Sequence, residues 1–168
     1  YHADSGEIYL EGEKVDISNS IVAKQLGICM VHQELNVVTE LSIAENIFLG
    51  REPLTKLGTI NHKQLYEDSK RFLEKQNLTY NPRMKMKEMS VGEQQMIEII
   101  KTVYFSSKIV IMDEPTSSLS EAEVKKLFNK IRELKESGST ILYISHRLEE
   151  LDEICDYLTV MRDGCFIK

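Results

Sequence analysis

The sequence predicts an α/β fold with a parallel sheet, an antiparallel hairpin at its N-terminal end and an inserted helical stretch. Three observations carry this. Ile109-Val110-Ile111-Met112 and Thr140-Ile141-Leu142-Tyr143-Ile144 are apolar on both sides, as expected of buried parallel strands. Between them Val124, Leu127, Phe128, Ile131 and Leu134 recur at helical spacing, and Gly138 is placed to end that helix. From Leu35 to Ser107 the character is mainly helical.

Taken in order, Gly6 to Val15 alternates apolar and polar residues around Gly12, which predicts a hairpin. Ile21 to Gln25 reads as a short helix, and Ile28-Cys29-Met30-Val31 as a strand ending at His32-Gln33. Ser42 to Leu49 is a second short helix. Asn61 caps a third, with Leu65, Phe72 and Leu73 on one face. Ser90 begins a fourth, on which Met96, Ile99, Ile100 and Val103 share a face. After Ile144 comes a short helix from Arg147 to Ile154. Tyr157 to Met161 and Cys165 to Ile167 then flank the turn signal Arg162-Asp163-Gly164.

Length and composition suit one globular domain: 168 residues, 42% hydrophobic and 29% charged. The net charge of -6 disfavours nonspecific nucleic-acid binding, so no nucleic-acid partner is expected. No apolar run reaches the roughly 18 residues that a membrane span needs. The start is polar, unlike a signal peptide. Cys29, Cys155 and Cys165 lack metal-ligand spacing and read as reduced thiols. The chain starts at Tyr1 rather than Met and stops inside an apparent strand, so an internal fragment of a longer protein is expected.

Three predicted strands end in polar groups: Gln33, Asp113-Glu114 and His146. Ligands of open α/β sheets bind beyond the carboxyl ends of the strands, so these residues converge on one rim. Met89-Ser90-Val91-Gly92-Glu93 reads two ways. Ser90 and Glu93 form a helix-capping box, and the same helix start, with Gly92 allowing close approach, suits an anion. Ser120-Glu121-Ala122-Glu123 is a second capping box, read as structural. His2 and His62 read as surface residues, and Met84, Met86 and Met89 as packing.

Gln33, Ser90-Val91-Gly92-Glu93, Asp113-Glu114 and His146 together resemble the ABC ATPase set of Q-loop, signature, Walker B and H-loop, in the family's order. Asn46 to Glu52, Ser90 to Ile99, Asp113 to Leu119 and Ile144 to Arg147 resemble the first ATPase half of bacterial monosaccharide importers of the ribose, galactose and xylose type. The resemblance implies a P-loop NTPase core, residues 1–33 and 108–168, with a helical subdomain at 34–107 that docks on a membrane partner. It implies ATP and Mg²⁺ as ligands. Asp113 and Gln33 would lie at the metal. Glu114 would be the general base, with His146 and Gln33 at the γ-phosphate and attacking water. Ser90, Val91, Gly92 and Glu93 would face ATP held by a second ATPase domain. The implied partners are that domain, transmembrane permease subunits and, indirectly, a periplasmic or extracellular sugar-binding protein. The implied location is peripheral, on the cytoplasmic face of the membrane.

The chain departs from the family at three points. It has no G-x-x-x-x-G-K-[ST] phosphate loop, so the core it predicts is a truncated one, expected to be inactive by itself. Glu93 stands for the usual signature glutamine, and Ser120 for the usual D-loop aspartate. Two other readings remain: a soluble ABC-type ATPase acting on ribosomes or DNA, and a non-catalytic interaction fragment. The first is weakened because only residues 34–89 separate Gln33 from Ser90, too few for a long inserted coiled coil.

Overall fold

In the computed structural model, residues 5–32, 35–105 and 108–167 are described. His2 and Gln33 therefore lie outside the described residues.

The chain opens with a hairpin of β1 (Ile8–Leu10) and β2 (Glu13–Val15). Its turn needs two left-handed residues, and Glu11 and Gly12 have φ of 52° and 85°. Helix α1 (Ser20–Gln25) follows, capped by the Asn19 side chain, and leads into β3 (Ile28–Val31).

The helical stretch contains α2 (Ile43–Ile47), α3 (His62–Lys75), a 3₁₀ turn at Met86–Glu88, and α4 (Val91–Phe105). Ser42 caps α2 in a full box with Glu45, and Asn61 caps α3 through the Gln64 amide. Ile43, Ala44, Leu65, Phe72 and Leu73 are buried together with Met86 and Met89, which makes the methionine cluster packing. Asn46, also buried, closes the loop before α2: it accepts from the Val38 amide at 2.8 Å and donates to the Val38 carbonyl at 2.9 Å.

Strand β4 (Ile109–Asp113), helix α5 (Glu121–Glu136), strand β5 (Thr140–Ile144) and helix α6 (Leu148–Ile154) complete the α/β part. Helix α5 ends in a Schellman motif. Gly138, at φ 94°, donates to Lys135 and Ser139 donates to Leu134, which satisfies carbonyls of the last turn. The sheet order is β3-β4-β5, all parallel, with Val31 opposite Met112 and Met112 opposite Tyr143. One hydrophobic cluster runs from this sheet through α4 and α5 into the helical stretch.

Two expectations need correction. Strand β5 is not buried on both sides. It lies at the sheet edge, and Leu142 and Ile144 are 54% and 49% exposed. Among the described residues the better covered face is the one carrying Val110, Met112 and Tyr143, which packs in one cluster with α4 and α5. The expected final strands shrink to β6 (Met161–Arg162) and β7 (Cys165–Phe166), around the positive-φ pair Asp163 and Gly164. Tyr157 and Leu158 extend no ladder and lie largely in solvent. An isolated two-stranded ribbon buries too little to lengthen itself.

Candidate active site at the sheet rim and the start of α4

Parallel pairing of β4 and β5 sets Asp113 opposite Ile144, so the residues that follow both strands leave the sheet on one rim. The Glu114 amide still donates to the Ile144 carbonyl at 2.9 Å, after which the chain turns sharply. Glu114 makes that turn with φ of 45°. A non-glycine residue held there costs on the order of 1 kcal/mol, which the surrounding bonds must offset. The effect is to lift the Glu114 side chain off the strand toward β5. His146 Nδ1 lies 2.8 Å from Glu114 Oε1, with the imidazole 75% and the carboxylate 30% exposed. The sequence grouped Asp113, Glu114 and His146 on one rim, and the strand register brings them there.

The turn after Glu114 is anchored from behind. Gln95, buried on α4, donates to the Pro115 carbonyl at 2.7 Å and accepts from the Ser118 hydroxyl at 2.8 Å. The buried Glu150 carboxylate accepts from Thr116, Tyr143 and Ser145. Burial raises the Tyr143 phenol, and its bond to Glu150 raises it further. Neither Gln95 nor Glu150 stands out in the sequence. Gln95 sits among the polar residues of α4, and Glu150, in the first turn of the short α6, reads as ordinary helix-end chemistry.

Ser90 to Glu93 start α4 with both halves of a capping box. The Glu93 carboxylate accepts from the Ser90 amide at 2.8 Å, and the Glu93 amide donates to the Ser90 hydroxyl at 3.2 Å. Tyr80 donates to Glu93 at 3.0 Å. The Ser90 amide, followed by Tyr80 and the Ser90 hydroxyl, holds the Glu93 carboxyl below its usual range despite some burial. The Tyr80 phenol is pushed up to about 12, by burial first and by Glu93 second. Val91 is exposed, while Gly92 is covered by a side chain from α5. A Cβ at Gly92 would collide with the Glu123 carboxylate. Glu123 also closes the capping box of α5, accepting from the Ser120 amide at 2.9 Å and hydroxyl at 2.7 Å. Two capping boxes thus meet at the start of α4. The box at Ser120 was legible in the sequence, but its reach to Gly92 was not.

Chemically, the rim offers two adjacent carboxylates and an imidazole, and the start of α4 offers a hydroxyl and backbone amides. Among the described residues no three His, Cys, Asp or Glu side chains gather as a closed metal cage. A small divalent cation that keeps its waters and is held by one or two carboxylates plus phosphate oxygens needs no such cage. Asp113 beside Glu114 supplies a donor set of that kind.

A parallel sheet whose central strand ends in paired carboxylates, packed on helices and preceded by a hairpin, is consistent with a truncated core of the P-loop nucleoside triphosphatase kind. A family model described as "ABC transporter" matches residues 1–117. The chain belongs to that family. Two solved ATP-binding cassettes of ABC transporters, one nucleotide-free and one in its ADP conformation, superpose with TM-scores of 0.81 and 0.81 at 26% and 27% identity. They are matched over 100% and 99% of this chain and 70% and 69% of theirs. Similar relatives include the ribose import ATP-binding protein RbsA of Caldanaerobacter subterraneus subsp. tengcongensis, 47% identical over 100% of this chain. The galactose/methyl galactoside import ATP-binding proteins of Photobacterium profundum and Clostridium tetani are each 48% identical over 99% of it. The chain spans 34% of the length of each of these three relatives.

Proposed function

We propose that this chain is part of an ATP-hydrolysing subunit that drives sugar import across the cytoplasmic membrane. The observation that carries the reading is the Glu114–His146 contact of 2.8 Å at the end of a central parallel strand. Identity of 47% to 48% to sugar-import ATP-binding proteins supports the choice of cargo class. No helix among the described residues is long and apolar enough to cross a membrane.

In this reading Glu114 accepts the proton of the water that attacks the γ-phosphate of ATP. His146, already in contact with that carboxylate, holds the water and a γ-phosphate oxygen. Asp113 and Gln33 would hold Mg²⁺, which would supply charge neutralisation on the phosphates. Gln33 also passes nucleotide state to the membrane subunits. The start of α4, Ser90 to Glu93, faces ATP bound by a second ATPase domain. In that encounter the Glu123 carboxylate must leave the space over Gly92. Residues 34–107 form the subdomain that docks on the permease, and 1–33 with 108–168 form the nucleotide core. The phosphate-binding loop and the second ATPase domain belong to other parts of the parent protein. The parent works peripherally on the cytoplasmic face, served by an external sugar-binding protein.

The test is Glu114→Gln in the complete parent protein. The amide keeps the shape but takes no proton, so ATP turnover should fall about 10²–10⁴-fold while ATP binding stays intact. Retention of more than about a tenth of the parental rate would remove Glu114 as the base.

A further inference from the structure

We propose that Glu150 is a positioning residue for ATP hydrolysis, holding the turns that carry Glu114 and His146 in their reacting arrangement. The proposal rests on the reading of Glu114 and His146 given above. Glu150 lies in the first turn of α6 and is only 4% exposed. A buried carboxylate is costly unless every oxygen finds donors, and here the donors come from two segments, the turn after β4 and the stretch from Tyr143 to Arg147. The Thr116 hydroxyl reaches both oxygens, at 2.9 and 3.0 Å. The Tyr143 hydroxyl donates to Oε2 at 2.8 Å and the Ser145 hydroxyl to the same atom at 3.0 Å. The Arg147 guanidinium pairs with Oε1 at 2.6 Å.

The positions of these donors carry the argument. Thr116 lies two residues after Glu114, and Ser145 and Arg147 bracket His146. Ser145 is fixed further, since its hydroxyl accepts from the Arg147 amide at 3.0 Å. One buried side chain therefore clamps both turns whose outward-facing members touch each other. His146 itself is mostly exposed and has little packing to hold it. Its placement against Glu114 depends on the backbone beneath it, and that backbone is tied to Glu150. Displacing a reacting group by about 1 Å is enough to cost on the order of 10²-fold in rate.

The donors also separate positioning from general stability. Thr116 and Ser145 sit in the turns, whereas Tyr143 belongs to β5 itself and carries no neighbouring reacting group. The experiment uses the complete parent protein with Mg²⁺ and ATP. It compares kcat, KM for ATP and melting temperature for Glu150→Gln, Thr116→Val, Tyr143→Phe and the double variant Glu150→Gln/Thr116→Val. Glu150→Gln keeps the volume but loses the charge pair and acceptor capacity. Its kcat should fall about 10- to 100-fold with KM within about threefold. Thr116→Val should also lower kcat, and the double variant should be no slower than Glu150→Gln alone, because both changes break one linkage. Tyr143→Phe should lower the melting temperature and reduce kcat less than Thr116→Val does.

Parental kcat in Glu150→Gln, or losses that multiply in the double variant, would overturn the proposal. If Glu150→Gln does not fold, Thr116→Val and Tyr143→Phe decide it: equal effects on kcat would mean that Glu150 is merely structural. Loss of turnover in Glu114→Gln beside parental kcat in Glu150→Gln would sink this proposal alone. An active Glu114→Gln would sink the base assignment beneath it.

Discussion

The two faces of the central sheet have similar sequences and opposite surroundings. On one face Val110 and Met112 are fully buried, and Phe128 of α5 packs edge-on to Tyr143 with ring centroids 6.3 Å apart. On the other, Met30, Leu142 and Ile144 are 40% to 54% exposed. Register accounts for the division: Cys29, Val110 and Ile141 pair on the first face, and Met30, Ile111 and Leu142 on the second. An apolar strand states that both faces suit cover but not what supplies it. Within these residues the hydrophobic energy of the sheet comes from one side, while the chemistry of the rim projects from its end.

Substitution on each face should break that symmetry most visibly. In the 168-residue chain, Phe128→Ala removes a ring that is 2% exposed and should cost about 3–5 kcal/mol. Leu142→Ala, on the open face, should cost less than about 1 kcal/mol. Urea unfolding of the two variants measures both, and equal losses would mean that the open face is covered in solution. In the complete parent protein, a larger penalty for Leu142→Ala would indicate that further chain covers it.

Helix starts sharpen the contrast on a smaller scale. Ser42 is buried and caps α2 within the covered core, whereas Ser120 caps α5 in the open. Ser42→Ala should cost about 1–2 kcal/mol and Ser120→Ala nearer 0.5 kcal/mol. Thermal melts compare them, and the reverse ranking would contradict the burial argument.

Acid should have a gentler effect. Glu45 is held below the ordinary carboxylate value of 4.5, first by the Ser42 hydroxyl. Glu93 is lowered, first by the Ser90 amide, and Glu123, first by the Ser120 hydroxyl. A depressed folded-state pKa gives stability that is fully present above the unfolded value and lost as pH falls through the folded one. Stability should therefore hold from pH 7 to about 5 and decline below about 4.5. Melts between pH 6 and 3 that stayed level would show these carboxylates to be unpaired in solution.

Most of the fold was legible because its signals are local. Capping residues, the Gly12 and Gly164 turns and the apolar face of α5 each follow from a few neighbouring positions. The rim was legible because three strands end in polar residues and parallel pairing gathers those ends; Gln33, on the first of them, lies outside the described residues. What was not legible depends on distant partners. Gln95 reaches Pro115, Glu123 reaches Gly92 and Glu150 reaches Thr116, each across a span that no local pattern encodes. The exposure of β5 escaped for a related reason, since edge and centre strands of equal hydrophobicity differ only in their neighbours.

In the proposed function the start of α4 faces a phosphate and is not only a capped helix end. Gly92→Ala in the complete parent protein tests it most directly. Gly92 lies in the first turn of α4 outside the positive-φ region, and alanine has the better helix propensity, so the backbone accepts the change. The nearest atoms to the new methyl are those of the Glu123 carboxylate, which must swing away and give up its bonds to Ser120. The expected result is loss of most ATP turnover, because the methyl fills the space a phosphate must enter, with a melting temperature within a few degrees of the parent's, because the helix propensity gained at residue 92 offsets the α5 cap lost at Glu123. Unchanged turnover would leave Ser90 and Glu93 as a capping box alone.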